Sequence, residues 1–179
     1  MTVITVCNQK GGVGKTTSAV TLAHALALKG KVTWLLDCDP QGQVAVALGR
    51  PPGEAMFDLL LGRRPVADLL QESGRPRLYI VPGDKSTQDA QTMLTGRGAT
   101  VDILARVIRP PRGSAGPDYV VIDTAPSVGL LQAMAIWAAD LVVVPCGCDW
   151  LSQDGATKAL ESMAHLAGLG WTGDLLGVL

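Results

Sequence analysis

Aromatic residues, histidine and any surplus of one charge are scarce in this sequence, and each scarcity excludes something. With one Phe and two Tyr in 179 residues, the core must be built from Ala, Val, Leu and Gly, a balance suited to buried parallel strands covered by helices. A formal net charge of −1 supplies no global positive field to draw the chain to nucleic acid or an anionic membrane, so any such contact must come from a local patch or an assembly. Arginines are frequent between Arg63 and Arg112, which a solvated surface explains. His24 and His165 have no Ser, Cys or second His at a telling spacing and are assigned no role. Three of the four cysteines lie at the ends of apolar runs and read as small hydrophobes of a reducing cytosol, not as disulfide partners. Cys146-Gly147-Cys148 has no second thiol pair nearby to complete a four-ligand metal site in one subunit. The most apolar stretch, 130–148, is interrupted by Gln132 and Asp140 and reads as a helix and a strand rather than a membrane span. Residues 1–7 read directly as a strand with no export signal, so a cytoplasmic protein without a membrane anchor is expected.

What is present is an alternation of short apolar runs and helical segments, in a length that suits one domain. Strands are expected at 2–7, 31–36, 78–82, 119–123 and 141–145, and helices at 15–29, 101–108, 128–138 and 152–169. Short helical pieces are read at 44–48, 56–61 and 66–71, and a loop at 109–117. This order predicts an α/β fold: a doubly wound, mainly parallel sheet flanked by helices, with the ligand site outside the carboxyl ends of the strands. A further strand is expected to begin at Gly177, so the sequence reads as a single domain, 1–179, without its C-terminal part.

Three clusters carry chemistry. The first is Lys10-Gly11-Gly12-Val13-Gly14-Lys15-Thr16-Thr17, set between a strand and a helix. Glycines let backbone N–H groups approach phosphate at a helix N-terminus. Lys15 can bring charge to the terminal phosphates, Thr16 can ligate Mg²⁺, and Thr17 can hydrogen-bond the inner phosphate. Gln9 stands where the ordinary phosphate-loop pattern has glycine, and Lys10 stands ahead of the glycines instead. The competing reading is a basic glycine turn.

The second cluster, Asp37-Cys38-Asp39-Pro40-Gln41-Gly42, brings two carboxylates to a turn at the end of the second strand. They can serve Mg²⁺ or water, or be turn and cap residues only. The third is the apolar strand Tyr119-Val120-Val121-Ile122 ending in Asp123, a Walker B pattern whose meaning depends on its pairing with the phosphate loop.

In this order and spacing the clusters resemble the ParA/MinD family of deviant Walker ATPases, and within it the ParA-type partitioning ATPases of plasmids and chromosomes. The likeness runs over most of the chain and is weaker between residues 50 and 110. The resemblance implies a P-loop NTPase fold, ATP and Mg²⁺ as ligands, and slow hydrolysis without an activator. It implies that Lys10 is the signature lysine reaching the partner's phosphates in an ATP-sandwiched homodimer. Lys15 then acts in cis, Asp39 positions the attacking water, Thr16 binds Mg²⁺ directly and Asp123 holds it through water; Asp37 is a further metal-side candidate. A lysine supplied across a dimer would do the work of an arginine finger, and loss of the γ-phosphate would release the dimer.

A ParB-type centromere-binding activator and nonspecific DNA association are implied by the resemblance alone. In the family, DNA-contacting and base-recognising segments lie largely beyond where this sequence ends. No amphipathic tail of the MinD kind is seen, which favours ParA and no membrane partner. The alternative function is a metabolic enzyme of the dethiobiotin-synthetase or amide-ligase type, which would need a pocket for a carboxyl substrate. An electron-transfer ATPase would need a bridging cluster, and a nonhydrolysing scaffold would have little need of Lys10, Lys15, Asp39 and Asp123 together.

Overall fold

A computed structural model of the chain describes residues 1–109 and 116–179. β-Branched and aliphatic runs form the central strands: β1 (Thr2–Val6), β2 (Thr33–Cys38), β4 (Leu78–Val81), β5 (Tyr119–Thr124) and β6 (Leu141–Val144). With the edge strands β3 (Gln71–Arg75) and β7 (Asp174–Val178) they make a seven-stranded sheet in the order β3-β4-β2-β5-β1-β6-β7. All described pairings are parallel except β3 with β4.

The inner strands are buried on both sides, so their alternate side chains enter different cores. Leu35 and Val121 face the side of α1 (Lys15–Leu28) and α2 (Gln43–Ala47), against Ala19 and Ala23. Trp34, Leu36, Val120 and Ile122 face α3 (Ala55–Leu60), α4 (Ser86–Gly96), α5 (Ile103–Val107) and α6 (Leu130–Ala138), against Leu59, Leu104 and Met134. A third cluster seats α7 (Trp150–Gly168) through Ala156, Ala159 and Met163 on Val142, Val144 and Ile136. Small residues on α1 and α7 let both helices lie close to the sheet.

Several expectations change. Residues 66–71 do not form one helical piece: a 3₁₀ turn covers Val66–Asp68 and β3 follows, closing a hairpin on β4. Gly74 at φ 82 and Arg77 at φ 64 supply the backbone turns that run of polar residues conceals. Helix α4 was not expected at all, because only Thr87, Ala90 and Leu94 of its polar sequence are buried. The last strand starts at Asp174, earlier than Gly177, and pairs with β6. Residues 110–115 of the expected 109–117 loop lie outside the described residues.

Candidate functional site

The glycine-rich loop leaves β1, which lies between β5 and β6 in the middle of the sheet. Gly12 (φ 77) and Gly14 (φ 86) take left-handed conformations that a side chain would strain, and Gly14 opens α1 directly onto Lys15. Four backbone N–H groups at a helix start have no partner within the helix, which favours an anion in front of α1. No acidic residue stands in the first turn of α1 to oppose one. Lys15 is buried, and its ammonium donates to the Lys10 carbonyl at 2.8 Å, spanning the loop from inside. Burial lowers its pKa, against the opposing pull of the Asp123, Asp39 and Cys7 charges.

The acids come from the two strands beside β1 on one side. Asp37 of β2 and Asp123 of β5 are register partners across a parallel ladder, so their side chains emerge on the same face. Thr16 Oγ1 donates to Asp123 Oδ2 at 2.6 Å, while Asp123 Oδ1 is buried without a hydrogen-bond partner among the described residues. Asp37 is braced at both oxygens, accepting from Asp39 N at 3.1 Å and Val44 N at 3.0 Å. Asp39 accepts from Gln41 N at 2.9 Å and holds the following turn. Burial, then the neighbouring acids, push Asp37 up to about 7; burial likewise pushes Asp123 up to about 7.

Buried acids with an orphaned oxygen and an adjacent threonine hydroxyl form a donor set that suits a hard divalent cation. The structure therefore brings together Lys15, Thr16, Asp37, Asp39 and Asp123. Gly11 and Gly12 are exposed on the loop, with Val13 partly covered; Thr17 is exposed, lining a cleft of about 400 Å³ with Val20, Thr21 and Gln43. Lys10 is partly exposed on the opposite side of the loop, toward α7, beside Pro126, Leu151 and Gly155.

Sequence reasoning passed over three residues that shape this site, Asn8, Gly83 and Gly155, and placed Gly42 in the acidic cluster without its packing role. Asn8 is fully buried and accepts from Lys10 N at 2.8 Å. Gly155, inside α7, faces Lys10 so closely that a Cβ there would lie 2.9 Å from Lys10 N. A Cβ on Gly42 would meet Gly83 O at 2.6 Å, and one on Gly83 would overlap the Asp37 carbonyl oxygen. The Asn-Gln-Lys run and an isolated helical glycine were the available signals, but each is locally ordinary.

Known proteins match this arrangement over nearly the whole chain. The AAA_31 family, described as an AAA domain, matches residues 1–168. The chromosome partitioning protein ParA of Caulobacter vibrioides is 33% identical over 169 residues, covering 93% of this chain and 63% of its own length. The chain thus spans less than two thirds of that relative. Among solved structures, apo McdA from Cyanothece superposes with a TM-score of 0.92 at 26% identity, over 100% of this chain and 71% of that one. Cobyrinic acid a,c-diamide synthase from Mycobacterium smegmatis, with ADP and magnesium bound, superposes with a TM-score of 0.91 at 32% identity, over 100% and 74%. With its glycine-rich loop between β1 and α1 and its acids at the ends of β2 and β5, the chain belongs to the AAA_31 domain family, and it is similar to ParA-type chromosome partitioning proteins.

Proposed function

We propose that the chain is a Mg-ATP-dependent partitioning switch of the ParA type, organised as one P-loop NTPase domain over 1–179. The observation that carries this reading is the Thr16–Asp123 hydrogen bond, 2.6 Å long, beside the buried Lys15 and the partnerless Asp123 Oδ1. In this reading residues 10–17 enclose the phosphates of ATP. Thr16 would bind Mg²⁺ directly and Asp123 would hold it through water. When bound, Mg²⁺ supplies positive charge against the phosphate oxygens. Asp37, tied to two backbone amides, braces the acidic turn on the metal side. Asp39 orients the attacking water, and Lys15 draws charge from the terminal phosphates in cis.

Lys10, partly exposed on the loop, is the residue offered to a second copy, where it stabilises charge on the partner's transferred phosphoryl group. Hydrolysis then depends on the homodimer, is slow until a ParB-type activator engages it, and ends by releasing it. Nonspecific nucleoid DNA belongs to this reading as a partner of the assembled dimer; at a net charge of −1 per copy, that contact has to come from a local basic patch. A cytoplasmic setting goes with this function; no helix among the described residues is long and apolar enough to cross a membrane.

Light scattering with ADP and with ATP plus Mg²⁺ tests the switch. ATP-dependent dimerisation, strengthened by Asp39→Ala and lost in Lys10→Ala, is the expected result. A monomer in every condition, despite measurable nucleotide binding, would sink it.

A second reading draws on the likeness to the diamide synthase: an amide-forming enzyme that activates a small carboxyl substrate with ATP. It requires ATP turnover that rises with an added carboxylic acid and is indifferent to Lys10→Ala. Turnover that instead rises steeply with protein concentration and falls in Lys10→Ala would leave the switch standing alone.

A further inference from the structure

We propose that Asn8 is a positioning residue for Lys10, and that Gly155 is the contact through which α7 fixes that position. The inference rests on the reading that Lys10 serves nucleotide across a dimer, but it is a claim about how the lysine is held.

The Asn8 side chain is fully buried and uses both ends of its amide. Oδ1 accepts from Lys10 N at 2.8 Å. Nδ2 donates to Pro145 O at 2.7 Å, just past β6, and to Ser152 O at 3.4 Å, in the first turn of α7. One side chain therefore ties the peptide ahead of the glycines to the end of β6 and the start of α7. Such a buried, satisfied amide has a defined orientation, because any other leaves a donor or acceptor unpaired.

The helix side of the joint has no slack. A Cβ on Gly155 would lie 2.8 Å from Lys10 Cβ and 2.9 Å from Lys10 N, and would overlap Asn8 Oδ1. One residue earlier in the loop, Gln9 Nε2 donates to Lys158 O and Ser162 Oγ, each at 3.3 Å, farther along α7. Residues 8–10 thus lie against α7 from Ser152 to Ser162. Lys15, by contrast, is carried by α1. The two lysines start from different helices and meet at one bond, Lys15 Nζ to Lys10 O at 2.8 Å, so a push from α7 on Lys10 is resisted at that bond while the backbone of α1 continues to present Lys15.

Gly155→Ala is the sharpest probe. Alanine is a better helix former than glycine, so the substitution supports α7 while its methyl group pushes on the loop. Asn8→Asp is the second variant: it keeps an acceptor for Lys10 N and removes the donor to Pro145 O and Ser152 O. Each is made alone and combined with Lys10→Ala, and four quantities are read: melting temperature, Mg-ATP binding by dilute monomer, ATP-dependent dimerisation, and hydrogen exchange of the 10–13 amides without nucleotide.

The expected pattern for Gly155→Ala is faster exchange at 10–13, monomer affinity within about threefold of the parent, and dimerisation weakened roughly tenfold to a hundredfold. In the Lys10→Ala background it weakens dimerisation no further. Additive losses, or equal losses in monomer binding and dimerisation, would mean general damage and overturn the proposal. If Lys10→Ala alone leaves dimerisation intact, the switch reading fails, and exchange then decides the positioning claim by itself. Unchanged exchange in both Gly155→Ala and Asn8→Asp overturns it whatever Lys10 does.

Discussion

Thr16 and Asp123 are joined by a 2.6 Å hydrogen bond that occupies one oxygen of the carboxylate and leaves the other buried, with no partner among the described residues. The pair spans the join between α1 and β5, so helix and strand both set its geometry. Replacing Asp123 by Asn removes the charge but little volume. Nucleotide affinity measured by calorimetry in the presence of Mg²⁺ is expected to fall about 10–100-fold. Affinity measured with EDTA is expected to change little. Equal losses in both conditions would mean that Asp123 acts on the fold and not on the cation.

The acids also predict an unusual pH profile for the chain without nucleotide. Asp37 and Asp123, each lifted from 3.8 to about 7 chiefly by burial, are neighbours and titrate as a pair. Between about pH 4 and 7 the folded state keeps protons that the unfolded chain has released, so stability falls as pH rises through that window. Urea midpoints are expected to be lower at pH 8 than at pH 5, with Mg-ADP narrowing the difference. A midpoint that climbs from pH 5 to pH 8 would contradict the burial of these groups.

Gly83 supports the acidic turn from below. Because a methyl group there would overlap the Asp37 carbonyl oxygen, Gly83→Ala must displace either β2 or the segment after β4. A loss of about 1–3 kcal/mol is expected in urea unfolding, together with weaker Mg²⁺-dependent binding, since the moved strand carries Asp37. Unchanged values in both measurements would place the glycine outside the site's support.

Thiol chemistry separates the cysteines. Cys7 and Cys38 are buried, the first pushed up to about 12 and the second also raised, both by burial. Cys148 is exposed and Cys146 half-buried. A disulfide reagent at pH 8 is expected to modify Cys148 rapidly and to reach Cys7 and Cys38 only on unfolding. Rapid reaction of Cys7 would indicate that the segment between β1 and the loop opens readily.

The central fold was legible because its signals are local and concordant. Aliphatic strands, glycine stops and a helix directly after Gly14 all point to one topology. The acids were legible because each ends an apolar strand. What escaped was set by tertiary contact. Helix α4 buries few apolar side chains, and β3 is recognisable only through its pairing with β4. Asn8, Gly83 and Gly155 matter through close approaches between segments remote in sequence, which no local pattern encodes.

The place of β1 in the sheet has one more consequence. On one side lie β5 and β2 with every acid of the site; on the other lie β6 and α7, which grip residues 8–10. The phosphate loop is a ridge between two catchments, one electrostatic and one mechanical. The bond from Lys15 Nζ to Lys10 O crosses that ridge, so changes placed away from it on the two sides should combine independently, and a lineage could reshape the α7 side without rewriting the charges on the other.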